Sequence, residues 1–257
     1  MLHSYDDLWS LNIQRHHSAF DAAELQRQTY APLALRGINT GVISSRSSLS
    51  NYKLVLATPH TIDATIAKEL ITFVRGGGTL VVGPRSGFKT LDNALQPERQ
   101  PALLHEIARA TVAEYYGLRE QITLHATGLS VPAMTAHTWA EWLVPDNEAQ
   151  VLASYGPVNG WLDGQAAITV KKHAGGGRVY QVGTWLSTES WDALLGDILS
   201  VAQIKAVLPG SPKGVHARQR GNCVILINSA EPRTVQLPWV ADESLTNQRV
   251  DSVTLAP

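Results

Sequence analysis

Two nearly continuous apolar runs, Tyr52-Lys53-Leu54-Val55-Leu56-Ala57 and Thr79-Leu80-Val81-Val82-Gly83, constrain the fold of this chain more than any other feature. Runs of strand length with almost no polar alternation are typical of parallel strands buried on both faces. Between them Ile62, Ile66, Leu70, Ile71 and Val74 recur at helical intervals. Thr61 is the predicted N-cap of that helix, and Gly76-Gly77-Gly78 its stop. Strand, helix and strand joined by short links imply a right-handed βαβ crossover, hence an α/β fold with a mostly parallel sheet.

The flanking segments extend this pattern. Residues 19–36 read as an amphipathic helix carrying Phe20, Ala23, Leu25, Tyr30, Leu33 and Leu35, with Gly37 placed to end it. Residues 40–43 read as a short strand, and a helix is expected from Ala102 to about Ala110. From about residue 117 extended segments dominate, at 121–126, 138–144, 150–155, 166–171 and 178–183, which adds antiparallel strands to the sheet. A helix is expected over 190–207. Pro209-Gly210-Ser211-Pro212-Lys213-Gly214 then resists both helix and sheet and reads as a linker. Four short strands follow, at 215–219, 223–227, 234–237 and 250–255. The expected division is a domain over 1–208 and a small β-domain over 213–257, too thin to stand without its neighbour. The triplet Gly175-Gly176-Gly177 precedes Arg178-Val179-Tyr180-Gln181-Val182 much as the first triplet precedes Thr79, but one such pair does not make a repeat architecture.

Composition narrows the function. Hydrophobic residues make up 44% of the 257 and charged residues 17%, enough apolar material for a core. A net charge of -1 with no Lys/Arg run offers nothing to nucleic acid or to an anionic membrane. The single cysteine, Cys223, precludes an intrachain disulfide and a cysteine-based zinc cluster, and its apolar strand makes it a small buried hydrophobe. The N-terminus lacks the pattern of a signal peptide, and no apolar stretch reaches the ~20 residues of a membrane span, so a cytoplasmic protein is expected.

Candidate chemistry is sparse. The glycine triplets lack the Lys-Ser/Thr of a phosphate loop, and the first lies between helix and strand, the reverse of the order that aims amides at phosphate. A class I amidotransferase would carry a cysteine on a strand-to-helix elbow; the matching turn, Leu56-Ala57-Thr58-Pro59-His60, has none, which leaves only an unusual hydrolase built on Thr58 and His60 as an enzymatic rival. His16 and His17 are adjacent, and His3, His105, His125, His137 and His173 are scattered, so no metal ligand set is read. A glycosidase needs paired carboxylates. Asn147-Glu148 lies in a turn between strands, and strand alternation sends Glu141 to a solvated face opposite Trp142. No catalytic, cofactor-binding or metal residue is therefore assigned. Of seven tryptophans, Trp161 in Asn159-Gly160-Trp161-Leu162-Asp163-Gly164 reads as an exposed loop tip, the candidate contact for a sugar or a neighbouring subunit.

The order of Asn51-Tyr52-Lys53-Leu54-Val55-Leu56-Ala57-Thr58-Pro59 and Phe73-Val74-Arg75-Gly76-Gly77-Gly78-Thr79-Leu80-Val81-Val82-Gly83-Pro84-Arg85-Ser86-Gly87 resembles the trimerisation domain of family 42 β-galactosidases. Trp142-Leu143, Val151 to Tyr155, Gly177 to Thr184 and Val224 to Asn228 continue that order over nearly the whole chain. The resemblance implies a flavodoxin-like domain, similar to class I glutamine amidotransferases without their nucleophile, followed by a small β-domain. It implies trimers, and it places both catalytic glutamates in an N-terminal (β/α)8 barrel with no counterpart here. The expected function is thus the non-catalytic oligomerisation portion of a β-galactosidase. The alternative is a stand-alone carbohydrate-binding or regulatory module on the same fold. The resemblance also leads us to expect that a first buried strand is cut short before Tyr5, and that Thr254-Leu255-Ala256-Pro257 stops before a final strand.

Overall fold

The computed structural model describes residues 1–256. The chain runs β1 (Leu2–His3), α1 (Tyr5–Ile13), α2 (Ala22–Leu35), β2 (Ile43–Ser44), β3 (Leu54–Ala57), α3 (Ala64–Arg75) and β4 (Thr79–Val82). A 3-10 turn (Ala102–Leu104) then leads into α4 (His105–Ala108), β5 (Ala110–Gly117), β6 (Ile122–Ala126), β7 (Ala133–Pro145), β8 (Gln150–Tyr155), β9 (Ala166–Lys172), β10 (Arg178–Val182) and β11 (Thr184–Leu186). After α5 (Thr188–Val201) come β12 (Val215–Arg220), β13 (Cys223–Asn228), β14 (Arg233–Glu243) and β15 (Gln248–Leu255). Pro257, part of the C-terminal expectation, lies outside the described residues. No described helix is long and apolar enough to cross a membrane.

The βαβ unit forms where the apolar runs place it. Leu54–Ala57 and Thr79–Val82 pair in parallel, and α3 packs its buried Ile66, Ala67, Leu70 and Val74 against them. Its cap differs from expectation. Asp63 is the N-cap, its Oδ1 accepting from the Ile66 N–H at 2.7 Å, while the Thr61 N–H donates to Asp7 Oδ1. A carboxylate at that position also meets the positive end of the helix dipole.

One nine-stranded sheet, in the order β11-β7-β6-β8-β9-β10-β4-β3 with β5 alongside β7, carries the fold. Within it β4 pairs in parallel with β3 and β10, and the other pairings are antiparallel. The class is α/β, as the sequence implied, but the antiparallel additions outgrow the parallel nucleus. Part of the excess is β5, where the sequence led us to extend a helix to residue 110. Arg109 adopts the left-handed conformation at φ 57, which ends α4 after one turn and launches the strand. The helix expected to reach 207 likewise stops at Val201, and Gln203 follows in a left-handed conformation at φ 53.

The two glycine triplets turn out to be neighbours. Because β10 lies parallel to β4 with Arg178 opposite Thr79, Gly76-Gly77-Gly78 and Gly175-Gly176-Gly177 enter adjacent strands side by side. A Cβ on Gly177 would sit 1.9 Å from the Val74 carbonyl oxygen, and one on Gly175 would sit 2.7 Å from that of Arg75. Backbone meets backbone there, so no side chain can move aside. We expect Gly177→Ala to lower stability by about 2 kcal/mol, the usual cost of forced backbone shifts, read as a fall in the urea midpoint at unchanged slope. Gly160→Ala meets nothing within 4 Å and serves as a comparison that reports only the strain of its positive φ, 81°.

The main core runs between α2, α5 and the sheet, centred on Phe20, Leu25, Trp139, Tyr155, Trp185, Trp191 and Leu194. A second cluster lies under α3, and a small one, Leu208, Val215, Ala217 and Val235, holds the last four strands together. Those strands form two separate antiparallel pairs, β12–β13 and β14–β15. In β13 the alternation half-buries Val224 and Leu226 and turns Cys223, Ile225 and Ile227 outward. Cys223 is therefore exposed, not the buried hydrophobe expected from its apolar strand: among the described residues nothing covers the second face of so thin a layer.

Candidate functional site

In α/β folds, ligands settle in the crevice beyond the carboxyl ends of the parallel strands. Here β3 leads into Thr58-Pro59-His60, and this turn is shut. Thr58 is fully buried and His60 nearly so. The His60 ring packs its Nδ1 2.5 Å from Asp7 Oδ2 on α1, while the His60 N–H donates to Ser86 Oγ at 3.1 Å and Ser86 Oγ–H donates to the Ala57 carbonyl at 2.7 Å. These contacts tie β3, α1 and the end of β4 together and leave neither Thr58 nor His60 facing solvent. An oxygen sealed in this way cannot meet a substrate.

The space past β4 is filled by Arg85, a residue the sequence reading passed over. Its backbone is left-handed at φ 62, which turns the side chain back over the strand ends. The guanidinium lies 4.8 Å from the Phe20 ring centroid, 5.3 Å from that of Phe88 and 5.1 Å from that of Trp139. It donates to the carbonyls of Gln14 and Arg15, both at 2.9 Å, and so pins the α1–α2 turn. Burial pushes the Arg85 guanidinium down to about 10, which still leaves it a cation at neutral pH. Partial desolvation of His16 and its closeness to Arg85 and Lys89 lower its affinity for a proton.

Glu141 closes the cluster from β7. Alternation along the strand pointed it to solvent, yet it is 2% exposed. Residues 138–141 of β7 are all buried, so both faces are covered at this point, including the one Glu141 shares with Trp139. Glu141 Oε1 accepts from the Arg85 backbone N–H at 2.8 Å and from the Trp139 indole N–H at 3.0 Å. Burial outweighs these donors and pushes its carboxyl up to about 7. Tyr155, whose hydroxyl donates to the Glu141 and Gly183 carbonyls, is shifted upward by burial as well. A raised carboxyl can mark a general acid, but this one is locked in packed side chains, and among the described residues no second carboxylate bonds or perturbs it. The other sequence candidate, Glu148, sits in the β7–β8 turn as expected, and its carboxylate is held by Arg109 at 2.6 Å and Lys171 at 2.6 Å. Among the described residues no three His, Cys, Asp or Glu side chains converge on a metal-sized space.

The exposed candidate is Trp161. It crowns the β8–β9 loop with 70% of its surface in solvent. Asp163 Oδ1 accepts from the N–H groups of Val158, Asn159 and Gly160, at 2.8, 3.2 and 3.1 Å. Asn159 Oδ1 accepts from Trp161 and Leu162, at 3.0 and 3.2 Å. The backbone donors hold the Asp163 carboxyl below its ordinary value, Val158 foremost. Leu162, fully buried, nails the loop to the core. The short polar side chains thus replace missing backbone partners and fix the tip. The Asn-Gly and Asp-Gly pairs already signalled this turn in the sequence, whereas nothing local signalled the Arg85–Glu141 cluster.

The crevice past β4 is thus filled, and Trp161 stands exposed on a loop fixed by Asp163 and Asn159. The sequence profile of the β-galactosidase trimerisation domain matches residues 1–205. The chain belongs to that family. A β-galactosidase of Halorubrum lacusprofundi is 33% identical over 258 residues, covering 96% of this chain and 36% of its own length. One from Haloferax lucentense is 27% identical and matches 98% of this chain with 37% of its own. The solved structure of the Halorubrum enzyme superposes with a TM-score of 0.82 at 33% identity, over 100% of this chain and 38% of that one. The β-galactosidase of Bacillus circulans sp. alkalophilus reaches 0.89 at 21% identity, over 99% of this chain and 39% of that one, a likeness of fold. This trimerisation-domain chain therefore spans little more than a third of the relatives it matches.

Proposed function

We propose that the chain brings β-galactosidase subunits together as a trimer and does no sugar chemistry itself. In this reading a flavodoxin-like, amidotransferase-like domain over 1–208 assembles the subunits, a small β-domain over 213–257 packs beside it, and hydrolysis of β-galactosides belongs to a catalytic barrel outside these residues, in the cytoplasm. The observation that carries it is the filled crevice: where an enzyme on this fold needs room for substrate, Arg85 is stacked among Phe20, Phe88 and Trp139. Trp161 is the residue we assign to contact rather than catalysis. Sedimentation equilibrium of the purified chain, run beside hydrolysis of a chromogenic β-galactoside, tests the proposal. Self-association without turnover is expected. A strict monomer, or turnover that follows the chain through every purification step, would refute it.

A further inference from the structure

Trp161 has a complement elsewhere on the surface. Between α5 and the β6–β7 hairpin lies an open hollow of about 460 Å³, lined by Thr123, Val131, Ala133, Met134, Glu189 and Ala193 among others. That volume falls in the range that accepts a compact organic group, and an indole is such a group. The hollow is walled by Val131, Ala133, Met134 and Ala193 with the hydroxyl side chains of Thr123, Thr135 and Ser190, and Glu189 is the one ionisable side chain on its lining. Glu189 is exposed and pairs with no cation among the described residues.

We propose that Trp161 of one copy of this chain seats in the hollow of a second copy, with its indole N–H donating to the Glu189 carboxylate. A buried tryptophan needs an apolar enclosure for its rings and an acceptor for its single donor. The hollow offers both, and its negative charge complements the positive edge of the indole. The tip is already rigid, since Asp163 and Asn159 bind five backbone N–H groups of the loop, so little conformational entropy remains to be lost on docking. The same rigidity keeps Trp161 out of its own hollow: the ring stands in solvent even though the loop starts beside it, Gly156 N–H donating to the carbonyl of Thr123 at 2.8 Å. The contact is heterologous, one patch against a different patch, which is the kind of interface that generates rings.

This inference rests on the assembly reading, and the experiment separates the two. Sedimentation of the full chain is compared for wild type, Trp161→Ala and Ala193→Phe, the last filling the hollow, with thermal unfolding as a check on each fold. Each variant is expected to weaken self-association roughly 30-fold or more, the loss that defines a central aromatic anchor. Mixing the two should restore a one-to-one pair, because Trp161 of the filled variant still finds the empty hollow of the other. If the wild-type chain associates and Trp161→Ala associates equally well, the contact is wrong and the assembly reading stands. If the wild-type chain is a monomer, both fall. Quenching of fluorescence by galactose in wild type but not in Trp161→Ala, with association unchanged, would make the tip a sugar platform and overturn the proposal.

Discussion

Replacing Arg85 with alanine is expected to destabilise the chain by about 4 kcal/mol, assembled from two losses. Desolvated cation–π contact with an aromatic face is worth up to about 2 kcal/mol, and three rings surround this guanidinium. The carbonyls of Gln14 and Arg15 lose a charged donor, and a hydrogen bond to a charged group is worth about 1.5–3 kcal/mol. Arg85→Lys should recover less than half. An ammonium keeps the charge but cannot serve two carbonyls from a planar fork while stacking on rings. Urea unfolding is the measurement, since guanidinium chloride would offer the cavity a substitute for the missing group. A loss below about 1 kcal/mol for the alanine variant would show that the α1–α2 turn is held by something other than this side chain.

The second large effect is a pH dependence centred on Glu141. Its carboxyl is raised from an ordinary 4.5 to about 7 in the fold. The folded chain therefore holds this proton where the unfolded chain has released it. The stability it contributes is fully present below about pH 4.5 and is lost as pH rises through 7. At about 1.4 kcal/mol per unit the contribution is on the order of 3 kcal/mol. Glu141→Gln keeps an oxygen for the Arg85 and Trp139 donors and cannot ionise. We expect the difference in unfolding free energy between wild type and Glu141→Gln to change by that amount between pH 4.5 and 8, with wild type the relative loser at the alkaline end. Every other titrating group cancels in the difference. A flat difference across the window would mean that Glu141 ionises in the fold as easily as in the unfolded chain.

Both residues sit at positions the sequence could describe only in part. Reading Glu141 by strand alternation failed because alternation says which side chains share a face, not whether that face is covered. The burial of β7 on both faces decided the matter. Arg85 gave no sign at all: an arginine after a buried strand is ordinarily a solvated cation, and the rings that enclose it come from residues 20, 88 and 139. Cys223 failed in the opposite sense, as an apolar strand whose outer face nothing covers.

What could be read locally was read well. The apolar runs at Leu54–Ala57 and Thr79–Val82 with the helix between them form the parallel unit, because burial on both faces is written in the composition of each run. The exposed tip at Trp161 followed from Asn-Gly and Asp-Gly, whose turn geometry depends on a few adjacent residues. The meaning of the two glycine triplets did not follow. Each promised a turn, but only the pairing of β4 with β10 shows why Gly177 tolerates no Cβ. Sequence by itself thus determined the segments whose hydrogen bonds close within a few residues or whose burial is uniform. Tertiary structure alone decided which polar groups are sealed and which apolar groups are left bare, since that depends on what distant chain arrives to cover them.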